Sequence, residues 1–242
     1  MANLLQIRTN ANKRLSDHFS RDRNCDYDRV FVLLIYWEES DMPQCKDESE
    51  QLGTLFRSVF NYQDIDYFAI SQIDSDLDVD KRLYEFVEQL KTHKNSLGII
   101  HYGGHGDEVE REGRLSEWAS HSSGGSTLRW SELQPKLRHA NSPILLILDC
   151  CYAAQAARLS GGERIVPPNV ELLAACGMGC QIPPPMTDNS FTIAFIRELE
   201  AALLQREIEG PVTMAEIHVR LASRAADLTQ TPIRFPLKGE LQ

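Results

Sequence analysis

No apolar run in the 242-residue chain approaches the roughly 18 residues needed to span a bilayer, and the opening MANLLQIRTNANKRLSDHFS is too polar for a secretory leader. Positive charge is scarce, with 25 Lys and Arg against 35 Asp and Glu, a formal net charge of −10. Nucleic acid and anionic membrane surfaces are therefore poor partners, and a cationic peptide is a better complement. The six cysteines are too thinly spread for a disulfide scaffold, so a reducing, cytoplasmic setting with reactive thiols is expected. Several local signatures are missing too. No glycine fingerprint follows the first apolar run, where YWEESDMPQCKD stands, so a mononucleotide loop is excluded. A phosphatase loop needs an arginine six positions after its cysteine, but Ala156 and Ala157 occupy those places after Cys150 and Cys151. Cys176 and Cys180 have no matching second pair with which to build a zinc site. There is no internal repeat.

What is present is an alternation of buried strands and amphipathic helices. Val30 to Tyr36 reads as a strand buried on both faces; Leu52, Leu55, Phe56, Val59 and Phe60 then recur at helical spacing. Ile65 to Ile70 is a second strand. The stretch DSDLDVD offers caps for a helix whose apolar stripe is Val79, Leu83, Phe86, Val87 and Leu90. Leu97 to Tyr102 is a third strand, followed by a polar loop to about Thr127 and a short helix from Trp130 to His139. Ile144 to Leu148 is a fourth strand, with a small helix, YAAQAARL, behind it. A further strand VELLAAC, a helix from Ser190 to about Ile208, a capping box at Thr213 to Glu216 and an edge strand in TPIRFPL complete the chain. The reading is an α/β fold with a mostly parallel six-stranded sheet flanked by helices on both faces. Residues 1–28 are read as a polar extension and 29–242 as one domain.

Ligands of such sheets sit beyond the carboxyl ends of the strands. Two of those ends carry reactive groups: IIHYGGHGD brings His105, and LDCCYA brings Cys150 and Cys151. An imidazole can take a thiol proton and return it to a leaving amine, and a helix N-terminus would favour the thiolate. Gly103, Gly104 and Gly106 let a substrate chain approach closely, and the N–H of Gly106 is a candidate oxyanion donor. Alone, each motif reads as well as a glycine turn or as apolar filler. Their occurrence at the ends of successive buried strands makes a dyad the better reading.

HYGGHG, followed 46 positions after its histidine by the second cysteine of LDCCYA, resembles the caspase and metacaspase superfamily of cysteine proteases. The stretches WEES, LLAACG and SFTIAFIRELE look most like fungal caspase-like domains. The resemblance implies a caspase-like fold and a cysteine endopeptidase with His105 and Cys151 as its dyad. It places the oxyanion between the N–H groups of Gly106 and Cys151, leaving Cys150 as a small packing neighbour. Asp149 and Glu48, the latter three after Cys45 in the loop following the first strand, fall on the family's pocket acids. Gly103 stands where the family has a serine. Two acids select Arg or Lys before the scissile bond, by charge-assisted hydrogen bonds. The protein or peptide substrates would thus be basic at that residue.

The resemblance also implies a role in regulated cell death or self/non-self response, with self-processing at Arg158 or Arg164 in the 158–168 loop. Many relatives bind calcium. Here Asp107, Glu108, Glu110, Glu112 and Glu117 do not form the family's aspartate-rich run, so neither a metal nor another cofactor is expected. A monomer is expected, because Pro232 and Pro236 blunt the edge strand. The rival reading is a catalytically silent caspase-like module that recruits partners in a cell-death assembly. A redox role for Cys150 with Cys151 is poor, since adjacent cysteines close only a strained ring.

Overall fold

A computed structural model describes residues 27–109, 115–157, 169–182, 190–209, 213–223 and 228–235. The main sheet has the order β2-β1-β3-β7-β8-β9, with β1 Arg29–Trp37, β2 Asp64–Ile70, β3 Ser96–Gly103, β7 Ile144–Asp149, β8 Val170–Ala174 and β9 Ile233–Phe235. All neighbours are parallel except β9, which runs antiparallel to β8 at the edge. A three-residue strand bounded by Pro232 and Pro236 suits that place, because proline has no N–H to give a ladder.

Alternate residues of β1 divide between two cores, as the period of a strand requires. Phe31, Leu33, Ile35 and Trp37 face one core, and Val30, Val32 and Leu34 the other. On the first face lies α2 (Ser75–Lys91), packed through the expected stripe from Val79 to Leu90. On the second lie α1 (Gln44–Ser58), α4 (Phe191–Glu209) and α5 (Met214–Ser223). Where these helices meet the sheet, Leu34, Ile147 and Phe195 are all buried. The Thr213 to Glu216 capping box closes as read: the Glu216 N–H donates to Thr213 Oγ1 (3.2 Å) and the Thr213 N–H to Glu216 Oε2 (2.9 Å).

Four local expectations need correction. The polar segment after β3 is not a loop: β4 (His105–Val109), β5 (Leu115–Ala119) and β6 (Thr127–Leu128) form a second, antiparallel sheet. It is held by the burial of Trp118 and Leu128, apolar residues too widely spaced among polar ones to give a strand signal. The helix expected from Trp130 to His139 is one α-turn, α3 (Trp130–Leu133), continued as 3-10 from Gln134. The helix after Cys151 is likewise only 3-10, over Ala153–Ala157. Finally, α2 is entered through Asp74 in the left-handed region (φ 55°), without a side-chain cap.

The chain passes from β1 outward to β2 and then returns to β3 on the other side of β1. This reversal lies at β1 and β3, and α/β sheets bind ligands beyond the carboxyl ends of strands at such a switch point.

Candidate active site

The loop after β1 delivers Asp41, β4 opens with His105 just beyond β3, and the end of β7 delivers Asp149, Cys150 and Cys151 to one rim of the sheet. Register fixes the two expected motifs side by side, with Gly103 opposite Asp149 and the Gly104 N–H donating to the Asp149 carbonyl at 3.3 Å. Gly106 is pressed on the cysteines so closely that a Cβ there would lie 2.2 Å from the Cys151 carbonyl oxygen and 2.9 Å from Cys150 Sγ. Glycine is required at 106 by this approach rather than by its dihedral angles. At Gly103 the nearest atom to such a Cβ, His101 Cε1, is 3.5 Å away, an ordinary contact. Gly106→Ala is accordingly expected to cost about 1–3 kcal/mol, the usual penalty of overpacking, and to displace the cysteine turn. Gly103→Ser should keep the parent's melting temperature. Thermal denaturation of the two variants checks the contrast.

The two cysteines differ in surroundings. Cys150 is 0% exposed and belongs to the apolar core, while Cys151 is half-buried at the rim. Burial pushes the Cys151 thiol up; the Ile182 N–H, 3.5 Å from Sγ, opposes this, and the charges of Asp149 and Asp107 add to it. The expectation of a thiolate favoured by a helix N-terminus is thus overturned. No α-helix begins there, and the surroundings are apolar and acidic. Instead Tyr152 takes a left-handed conformation (φ 55°), pinned by its N–H to the Cys180 carbonyl at 2.9 Å, so the chain turns sharply just after Cys151.

His105 is held from two sides. Its carbonyl accepts the Tyr102 hydroxyl at 2.8 Å, and that hydroxyl in turn accepts Trp37 Nε1–H at 3.1 Å. Its ring Nε2 meets Asp41 Oδ1 at 2.5 Å. The other carboxylate oxygen of Asp41 accepts both the N–H (3.0 Å) and the hydroxyl (2.8 Å) of Ser122. Partial burial raises the Asp41 carboxyl, but the Ser122 and His105 bonds outweigh it and bring it to about 2.

The two acids read as a pocket are brought together beneath this rim. Glu48, 2% exposed, comes from the first turns of α1 rather than from a loop, and Ser190 Oγ donates to its Oε1 at 2.7 Å. Asp149, 7% exposed, accepts on Oδ2 both the N–H (2.9 Å) and the hydroxyl of Thr192, at the N-terminus of α4. Because that hydroxyl is spent on Asp149, it accepts from His101 Nε2–H at 3.0 Å; buried His101, pushed down to about 3, stays neutral. Burial and the nearby charge of Glu48 raise Asp149 to about 7, against the hydrogen bonds from Thr192. Both of these Thr192 bonds fall on the same oxygen, Oδ2. Two acids buried side by side raise each other's cost of ionisation, as the lifted Asp149 shows, and a guanidinium or ammonium group placed between them would lower it.

Residues 12–214 match the family model of the caspase domain, peptidase family C14. The chain belongs to the caspase-domain family. That makes it a member of a family of cysteine peptidases, whose substrates are proteins. Caspase-1 from Spodoptera frugiperda is similar in structure, with a TM-score of 0.54 at 14% identity over 90% of this chain and 94% of that one. The fold is therefore caspase-like. Among curated proteins none matches the sequence.

In this caspase domain His105, Gly106, Asp149, Cys150, Cys151, Glu48 and Gly103 lie at or just beneath the sheet's rim. Arg158 and Arg164, with Glu110 and Glu112, lie outside the described residues. Among the described residues no group of three or more His, Cys, Asp or Glu is placed to hold a metal ion. Asp107 and Glu108 are spent locally, the first on the Glu108 N–H and the second on Gln155 Nε2. Sequence reasoning missed Asp41, Ser122, Ser190 and Thr192. Only Asp41 left a trace, as an acid just beyond a buried strand.

Proposed function

We propose that this caspase domain is a cysteine endopeptidase that uses His105 and Cys151 to cleave after Arg or Lys. The observation that carries the specificity is the buried pair Glu48 and Asp149 beside the cysteine turn. Since the Cys151 thiol is pushed up, it rests protonated. His105 therefore removes that proton as sulfur attacks the carbonyl, instead of meeting a preformed thiolate. The N–H groups of Gly106 and Cys151, whose backbones are in close approach, are the oxyanion donors. Protonated His105 then gives its proton to the departing amine, and water releases the acyl group from sulfur. The raised Asp149 gives the recognition step a pH dependence. Below about 7 its carboxyl is neutral, and above that it is charged and attracts a cation.

KM for an arginyl substrate should therefore fall as pH rises through about 7. In Glu48→Gln the like charge is gone, Asp149 ionises more readily, and the fall should move to lower pH. The ligand-free fold should behave oppositely. Its Asp149 holds a proton that the unfolded chain releases near 3.8, so stability drops between there and about 7 and is level above. Steady-state kinetics and thermal melts across this range read both trends.

Labelling by an arginyl chloromethyl ketone tests the whole reading. Cys151 should be alkylated in the parent chain and the label lost in Cys151→Ala. Absence of label from the parent, with intact folding, would favour the rival: a silent module for partner recruitment. With it goes a role in regulated cell death or self/non-self response, which rests on the family resemblance, and self-cleavage at Arg158 or Arg164. Cleavage predicts two fragments from the parent and one intact band from Cys151→Ala.

A further inference from the structure

In a cysteine peptidase the base must offer the thiol a bare ring nitrogen, and an imidazole has two that interconvert unless something fixes the proton. Asp41 supplies that constraint. The carboxylate lies in the loop between β1 and α1, 64 residues from His105, and its two oxygens have separate tasks. Oδ2 is anchored by the backbone N–H and hydroxyl of Ser122. Oδ1 is left pointing at His105 Nε2, 2.5 Å away.

Ser122 is itself fixed. It sits in the turn from β5 to β6, which is closed by the Ser120 N–H to the Ser126 carbonyl (2.9 Å) and the Ser126 N–H to Ser120 Oγ (3.0 Å). A carboxylate anchored through one oxygen and aimed through the other holds an imidazole at a set angle. An ionised carboxylate can only accept, so Nε2 carries the proton and Nδ1 is the acceptor.

We infer that Asp41 is the positioning residue of this peptidase, fixing the His105 ring and its tautomer so that Nδ1 faces the Cys151 thiol. This rests on the His105–Cys151 reading. In the step it serves, the S–H bond of Cys151 breaks and an N–H bond forms at His105 Nδ1. The Nε2–H stays on the ring, and the new imidazolium charge faces the Asp41 carboxylate. The proton later leaves Nδ1 for the departing amine, restoring the starting tautomer. The bonds of Asp41 run to His105 and Ser122, and it acts on the reaction through His105.

Asp41→Asn, in the full chain, should lower kcat for an arginyl coumarin peptide by about 10²–10⁴-fold with little change in KM, because an amide can hold the wrong tautomer as readily as the right one. Asp41→Glu, which keeps the anion, should recover at least about tenfold of that loss. A low-field imidazole N–H proton resonance should be present in the parent and in Cys151→Ala, and absent in Asp41→Asn. Alkylation of Cys151 by iodoacetamide, which needs no turnover, should slow in Asp41→Asn and likewise in His105→Ala.

Parent-like kcat and alkylation in Asp41→Asn, or an increase in either, would overturn the inference. So would equal losses in Asn and Glu variants with a lowered melting temperature, since Asp41 would then be only structural. His105→Ala and Cys151→Ala separate the underlying reading. If either turns over like the parent, the dyad fails; if both are silent while Asp41→Asn is active, only the role of Asp41 fails.

Discussion

Cys151→Ala should abolish peptide hydrolysis and Cys150→Ala should preserve it. The argument is one of position: Cys151 is half-buried where the turn meets the rim, whereas Cys150 is fully enclosed by the core and its carbonyl is occupied by Cys176 Sγ at 3.5 Å. Removing an acyl-transfer nucleophile costs on the order of 10⁶-fold in kcat. Removing the general base, in His105→Ala, should cost about 10²–10⁴-fold. Cys150→Ala removes only one buried sulfur and should cost about 1 kcal/mol of stability. Hydrolysis of an arginyl coumarin peptide by the three variants, beside their melting temperatures, decides the assignment. Turnover by Cys151→Ala combined with silence of Cys150→Ala would reverse it.

The second large effect concerns the substrate's basic side chain. Glu48→Gln or Asp149→Asn should each weaken arginyl substrates by roughly 10- to 150-fold in kcat/KM, the equivalent of one charge-assisted bond of about 1.5–3 kcal/mol. The loss should fall mainly on KM, since this contact exists before the reaction begins. The two variants should not be alike in the empty protein. Glu48 is bonded by Ser190 Oγ, whereas Asp149 accepts the Thr192 N–H that opens α4, so Asp149→Asn also disturbs a helix start. Glu48→Gln is therefore the cleaner probe. A peptide panel varied at the residue before the scissile bond should show the preference for Arg and Lys flattening in both. Preferred cleavage after Asp by the parent would defeat the proposal, because two buried carboxylates repel an acidic side chain.

The main sheet was legible because each of its core strands is a continuous apolar run, as in β7, ILLILD, and such runs fit a sheet covered on both faces. The His105 and Cys151 motifs were legible for the same reason, since each stands directly where such a run stops. Asp41 was not, because what gives it meaning is a partner 64 residues away and an anchor 81 residues away. Local periodicity carries no record of such contacts. Thr192 was hidden in the same manner: within SFTIAFIRELE it reads as an ordinary first-turn residue, yet it positions an acid 43 residues upstream. The second sheet was invisible because its strands are short, polar and stabilised by two or three large side chains. Cys151 misled in the opposite direction, as YAAQAARL has good helix formers, but its described part, Ala153–Ala157, is 3-10 behind the left-handed Tyr152.

The chain's three tryptophans, Trp37, Trp118 and Trp130, are all buried in the core on one face of the main sheet. Trp118 lies stacked between Tyr102 and Trp130, with ring centroids 3.7 and 4.1 Å apart and planes within 10°. Intrinsic emission from this protein is consequently a view from a single window, the wall behind His105. The layer of α1, α4 and α5 contributes no indole, so its loosening would be dark to the fluorimeter while still visible as lost helix by circular dichroism.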